Sequence, residues 1–268
     1  QGGEHGCERG FRNPHSSQEG TGAKGICALA SSHSSAMLVY PAGRAPGSCL
    51  AIADTHCPTG SRCPQLVSAL RLARRLGSGC LIVLGDMFDK LHRRTSSEEL
   101  RRHLLQAVSG TELPESLYYT TSLSSHDPVF EEPFELSLNG ASLLVVPGLL
   151  QLKVEGHELC ALHGDAVARS GVLAYALNAA AAAAGRPLLL EEVAKRRFCA
   201  PQAWLLAGHT HIPGLDAERR LGNPGSWKLY WGSGLRYWRP ASFGVIVITR
   251  SGVRLLRPRK LETRSGRG

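Results

Sequence analysis

The sequence predicts an α/β fold in which a second β-sheet packs on the first. Two observations point there. From Met37 onward, short apolar runs alternate with stretches of helical period, a βαβα order that suits parallel strands joined through helices. In the second half the apolar runs cluster, which suits a further sheet stacked on the first. A third observation bears on function: five of the runs stop at a histidine or an aspartate.

Residues 1–36 are rich in Gly, Ser and charge and carry no period, so a disordered leader is expected there. The working domain is expected over residues 37–258, opening with "MLVYPAG" as a strand. Cys49–Ala53 is the next strand. "PQLVSALRLARRLG" follows as a helix with Leu66, Leu70 and Leu72 at helical spacing and Gly77 as its carboxyl cap. Cys80–Leu84 is a strand, and "SSEELRRHLLQAVSG" a helix opened by Ser96 or Ser97 ahead of glutamates. Strands are expected at Leu117–Thr121, Ser142–Val146 and Glu158–Leu162. A helical insert over about residues 166–200 comes next, built from Ser170–Ala184 and "LLLEEVAKRRF". Trp204–Ala207, Phe243–Thr249 and Val253–Leu256 complete the strands, and residues 259–268 read as a basic, solvated tail.

The chain of 268 residues is long enough for a sizeable core. Its 31 Lys and Arg against 22 Asp and Glu give a net charge of +9, which favours anionic partners by long-range steering. A phosphate ester or nucleotide-like substrate fits that balance. Nucleic acid fits it too but is not favoured, and the sequence does not specify an oligomeric state. No apolar stretch is long enough to span a bilayer, the nearest, Gly171 to Leu190, being broken by Asn178, Gly185, Arg186 and Pro187. No basic start followed by an apolar run opens the chain, so a cytoplasmic protein is expected. The eight cysteines form no C-x-x-C pair, which argues against a structural zinc site. Cys57 and Cys63 flank a short loop and are candidates either for a disulfide or for free thiols.

The chemistry lies at the strand ends. "CLAIADTHC" puts Asp54 and His56 after the first apolar strand, and alternation along a strand would turn both the same way. "CLIVLGDMFD" puts Gly85 and Asp86 after the second. "LYYTTSLSSHDP" puts His126 and Asp127 after the third, "LCALHGD" His163 after the fourth, and "AWLLAGHTHIP" His209 and His211 after the fifth. A single histidine at a strand end is an ordinary surface residue; five such ends are not. In open α/β sheets ligands collect outside the carboxyl ends of strands. Carboxylate with imidazole is the donor set of Mn, Fe, Co, Ni or Zn. Two such ions need a bridging anionic ligand, for which Asp86 is the candidate, with Gly85 allowing close backbone approach. Such a pair clamps a phosphoryl group and lowers the pKa of a bridging water. His126, with Asp127 beside it, is placed to act as general acid.

This order of motifs resembles the calcineurin-like metallophosphoesterase family over roughly Cys49 to Trp227. The resemblance implies a four-layer αββα sandwich of two mixed sheets flanked by helices, and two divalent metal ions, manganese first. It implies Asp54, His56, Asp86 and His211 on one ion, and Asp86, Ser125, His163 and His209 on the other, with His126 as proton donor. Ser125 departs from the pattern: the family carries Asn there, and a serine hydroxyl is a poorer ligand, so unequal metal affinities are expected. "LGNPGSW" resembles the small phosphodiesterase branch, although N-P and P-G are also plain turn dipeptides. The insert lies where the UDP-diacylglucosamine hydrolases carry helices over their site, and "YWGSGLRYWRP" supplies Arg236, Arg239 and aromatics suited to a phosphate with a stacked base. The implied activity is hydrolysis of a phosphodiester, pyrophosphate or phosphomonoester. The alternatives are a DNA nuclease of the same family and a non-catalytic scaffold on the same fold.

Overall fold

The structure, a computed structural model, describes residues 27–28, 37–123, 126–230 and 235–257. The leader beyond residues 27–28, Ser125, Trp231 and the basic tail lie outside the described residues.

In chain order the elements are β1 (Cys27–Ala28), β2 (Leu38–Arg44), β3 (Cys49–Ile52), α1 (Pro64–Arg75), β4 (Cys80–Leu84), α2 (Ser97–Ala107), β5 (Ser116–Thr120), β6 (Phe134–Leu138), β7 (Ala141–Val146), β8 (Leu149–Val154), β9 (His157–Leu162), α3 (Gly171–Ala183), α4 (Leu189–Phe198), β10 (Trp204–Ala207), β11 (Gly214–Asp216), β12 (Leu221–Asn223), β13 (Val245–Thr249) and β14 (Gly252–Leu256). They form two seven-stranded mixed sheets. Sheet I has the order β14-β13-β3-β4-β5-β7-β6 and sheet II the order β1-β2-β8-β9-β10-β12-β11. In sheet I β3, β4, β5 and β7 run parallel, as β9, β10 and β12 do in sheet II.

Why the sheets stack follows from the side chains. Strands buried on both faces need no polar alternation. In β3 and β4, Leu50, Ile52, Leu81 and Val83 pack outward against Leu66 and Leu70 of α1 and Leu100 and Leu104 of α2. Ala51, Ile82 and Leu84 point the other way, onto Leu150, Leu152, Leu159, Ala161 and Leu206 of sheet II. Behind sheet II, Leu149, Leu162 and Leu205 meet Leu188 and Ala194 at α4. The result is the four-layer αββα sandwich expected from the sequence.

Local signals set the helix ends. Gly77 closes α1 in a left-handed turn (φ 61°), donating to Arg74 while Ser78 donates to Ala73. Ser96 Oγ accepts the Glu99 amide at 3.1 Å at the start of α2. Strands β1, β6, β8, β11 and β12 were not expected: β1 lies within the leader expected to be disordered and pairs antiparallel with β2, β6 alternates half-buried and exposed residues as an edge strand, and β11 and β12 are three residues each. Strand β13 begins at Val245 rather than Phe243, because Phe243 sits at positive φ. Cys57 is disulfide-bonded to Cys63, and Cys49 to Cys80 across neighbouring strands. Among the described residues no helix is long and apolar enough to cross a membrane.

Candidate metal centre

The carboxyl ends of β3, β4 and β5 in sheet I meet those of β9 and β10 in sheet II, and the strand-end residues converge there. Asp54, His56, Asp86, His163 and His209 are buried, and His211 is partly buried. Asp54 and His56 do not share a direction through strand alternation, as the sequence suggested. Strand β3 ends at Ile52, and both residues lie beyond it in the left-handed region, at φ 53° and 46°. Asp86, His209 and His211 are in the same region, at 46°, 69° and 59°. Residues other than glycine hold this conformation only where their surroundings over-determine it, and such strain gathers at functional sites. Backbone hydrogen bonds supply the constraint: Asp54 N to Gly85 O (3.2 Å), His56 N to Asp86 O (3.0 Å) and Gly208 N to His163 O (2.8 Å).

Two glycines make room. A Cβ on Gly85 would collide with the His163 ring, and one on Gly208 would stand 2.8 Å from Asp54 Oδ2. Both positions therefore need glycine for close approach, beyond the positive φ of Gly85.

Asp86 stands between two imidazoles, with Oδ2 3.7 Å from His56 Nε2 and Oδ1 3.5 Å from His163 Nε2. Asp54 Oδ1 lies 3.0 Å from His211 Nε2, while Asp54 Oδ2 accepts the His209 amide at 3.0 Å. Three ligand clusters follow: Asp54, His56 and His211; Asp54, Asp86 and His163; and His56, Asp89 and His126.

The ring nitrogens fit a cation. His163 Nδ1 lies 3.0 Å from Leu84 O and His209 Nε2 2.6 Å from Ala168 O, so each donates an N–H to a backbone carbonyl. That leaves His163 Nε2 and His209 Nδ1 facing each other at 3.1 Å. Two lone pairs converge there, and either a proton or a metal must satisfy them. His56 Nδ1 faces Asp89 Oδ1 at 3.4 Å, which leaves Nε2 for a ligand. His56 Nε2, Asp86 Oδ1 and His211 Nδ1 are buried with no hydrogen-bond partner, and Asp54 Oδ1 has only the His211 ring beside it. Buried polar atoms left bare cost about 1–3 kcal/mol each. All of them are on residues of the ligand clusters, and together they mark a place suited to a cation.

The charges are mutually dependent. Burial pushes the Asp86 carboxyl up, but His163, His56 and His126 hold it below the usual carboxylate range. Asp54 likewise is held down by His211 against burial. Burial would lower His163, but Asp86, Asp165 and Asp54 overcome it and raise its pKa to about 10. His56, by contrast, is pushed down to about 4 by burial despite its hydrogen bond to Asp89.

His126 is half-buried, edge-on to His56 with ring centroids 4.7 Å apart, and its Nδ1 lies 2.8 Å from Asp89 O. Asp127 does not join the cluster. Its Oδ2 accepts the amides of Asp86 (2.7 Å) and Ser122 (2.8 Å), and its Oδ1 those of Met87 (2.9 Å) and Phe88 (3.4 Å). Expected beside His126 in proton transfer, it instead fastens the Asp86 loop to the end of β5. Ser125 lies outside the described residues.

Two neighbours were not anticipated. Asp89, held down at about 2 first by its hydrogen bond to His56, is the last residue of "GDMFD" and was legible only as spacing. Lys228 is 2% exposed, with Nζ 3.2 Å from both His56 Nδ1 and Asp89 Oδ1. Nothing in the sequence marks it, since lysines are seldom buried. The turn "NPGSW" is welded to the site: Trp227 N donates to Asp54 O at 3.1 Å. Of "YWGSGLRYWRP", Arg239 lies 4.3 Å from both the Tyr175 and Trp238 rings, which meet edge-on, and donates to Gly171 O at the start of α3, and the Tyr237 ring lies tilted against His211 at 5.7 Å.

No family model and no curated protein matches the chain. Among solved structures it is similar to a conserved uncharacterized protein of Streptococcus pneumoniae TIGR4 described as a predicted phosphoesterase, at 12% identity and TM-score 0.36 over 78% of this chain and 97% of that one. It is similar to a single mutant of Vps29 from Entamoeba histolytica at 14% identity and TM-score 0.37, over 78% of this chain and 97% of that one. The E. coli phosphoesterase Yfce matches at 14% identity and TM-score 0.33, over 78% of this chain and 98% of that one. Likenesses of this size establish neither family nor activity.

Proposed function

We propose that this chain is a metal-dependent phosphoesterase that hydrolyses a phosphodiester, pyrophosphate or phosphomonoester. The observation that carries the proposal is the convergence of the buried ligand-bearing side chains of Asp54, His56, Asp86 and His211 beside the facing nitrogens of His163 and His209. Asp54, His56, Asp86 and His211 would hold one divalent ion, and Asp86, His163 and His209 a second, manganese being the first candidate. When bound, such a pair supplies Lewis acidity toward a phosphoryl oxygen and acidifies a water.

The chain's own residues do the rest. Asp86 lies between His56 and His163 and offers one oxygen to each side. Asp127 keeps Asp86 in place through its backbone amide. His126 holds its Nδ1 on the Asp89 carbonyl, so the proton it can deliver to a leaving oxygen is at Nε2. Lys228 stands behind His56 and partly offsets the charge of Asp89. The net charge of +9 favours approach of an anionic ester by long-range steering.

The test is turnover of bis-p-nitrophenyl phosphate and p-nitrophenyl phosphate with Mn²⁺, with chelator, and in the His126→Ala variant. Metal-dependent release of nitrophenolate, lost with chelator and lowered about 10²–10⁴-fold in the variant, is expected. A folded protein that binds metal yet turns over neither these esters nor pyrophosphate, diester and monoester substrates of biological origin would leave a non-catalytic scaffold. Metal-dependent cutting of DNA would name the nuclease instead.

A further inference from the structure

The insert helices meet the candidate metal centre at one buried carboxylate. Glu191, in the first turn of α4, is 2% exposed. Its Oε1 accepts from Thr210 Oγ1 at 3.0 Å and from Asn223 Nδ2 at 2.7 Å. Its Oε2 accepts from Asn178 Nδ2 of α3 at 2.7 Å. Asn178 Oδ1 in turn accepts the Leu190 amide at 2.9 Å, so one side chain caps α4 and orients its glutamate. Asn223 also donates to Gly208 O at 3.0 Å, and its Oδ1 accepts the Gly225 amide at 2.7 Å. One carboxylate thus gathers both insert helices, the loop after β10 and the end of β12.

The position of Thr210 gives this network its meaning. It lies between His209 and His211, both in the left-handed region, and its own amide donates to Gly208 O at 2.8 Å. Loop residues in that region stay there only when other contacts hold them. The three side-chain groups that reach Glu191 are all donors, so the position demands an acceptor-only group. A glutamine would turn an NH₂ against one of them, leaving a buried polar pair unsatisfied. A packing contact alone would not need this chemistry.

We propose that Glu191 is a positioning residue of the site, holding the His209–Thr210–His211 loop in its left-handed form through Thr210 and Asn223. The insert is then a built part of the histidine cluster rather than a cover beside it. That the two histidines bind metal rests on the proposed function; that Glu191 fixes their loop does not.

The full chain is tested as wild type, Glu191→Gln, Thr210→Val, Thr210→Ser and the Glu191→Gln/Thr210→Val double variant. Two quantities are read: amide hydrogen exchange over residues 208–212 without metal, and Mn²⁺ affinity by calorimetry. Glu191→Gln and Thr210→Val are each expected to exchange at least about tenfold faster at the loop and to bind Mn²⁺ about 10–100-fold more weakly, the range for partners that orient metal ligands. Thr210→Ser keeps the hydroxyl and should behave as wild type. The double variant should be no worse than Glu191→Gln alone, since Thr210→Val removes a link that Glu191→Gln already breaks. Loop exchange at the wild-type rate in Glu191→Gln, or additive losses in the double variant, would overturn the proposal even where thermal stability falls. If the wild type takes up no Mn²⁺, the proposed function fails while loop exchange still decides the role of Glu191.

Discussion

The two helical layers of this sandwich are built differently. On the outer face of sheet I, α1 and α2 bury Leu66, Leu70, Leu100 and Leu104 in a continuous apolar cluster. On the outer face of sheet II, α3 buries only Ala174 and Asn178, and α4 buries Glu191 and Ala194. Val172, Leu173, Leu177 and Val193 of these insert helices stay exposed. One layer is held by leucine burial, worth roughly 1.5–3 kcal/mol for each fully buried side chain. The other is held by a smaller apolar cluster around Leu188 and Ala194 and by a polar network that ends between two histidines of the cluster. The first layer supports the fold, and the second is tied to the site.

This contrast is sharpest where a leucine is removed from each layer. Leu100→Ala, at a fully buried position, should lower unfolding free energy by about 2–5 kcal/mol in denaturant titration, with Mn²⁺ affinity unchanged in the folded fraction. A loss well under 1 kcal/mol there would break the comparison. Leu177→Ala, at a position 42% exposed, should change stability by no more than about 0.5 kcal/mol. A larger loss would mean that the insert is packed as the first layer is.

Most of the first layer was legible in the sequence, and the reason is physical. Leucines at helical spacing, Ser96 as a cap and Gly77 as a stop are local signals, and each formed the structure it predicts. The strand-end aspartates and histidines were legible because they follow apolar runs, and those from both sheets meet at one place. Their mutual geometry was not. The shared direction of Asp54 and His56 comes from left-handed turns that no residue type announces. Asp127 looked like a partner of His126, but adjacency in sequence gave no sign that four backbone amides would converge on it. Lys228 and Glu191 are charged residues that composition assigns to the surface, and only tertiary contacts bury them. The strands β11 and β12 were too short to show a period, and they carry Asn223 into the Glu191 network.

The stereochemistry of the histidines gives the account its most direct test, which is a calorimetric Mn²⁺ titration of the wild type and Asp86→Asn. It is run in two buffers of different ionisation enthalpy and at several pH values. Without metal, His163 keeps its proton up to about pH 10 because Asp86, Asp165 and Asp54 outweigh its burial. A metal must displace that proton, so binding should release protons at neutral pH and tighten as the pH rises. The account predicts two ions of unequal affinity in the wild type, with proton release, and loss of at least one of them in Asp86→Asn. A folded wild type that takes up no metal, or an Asp86→Asn variant that binds as the wild type does, would contradict it.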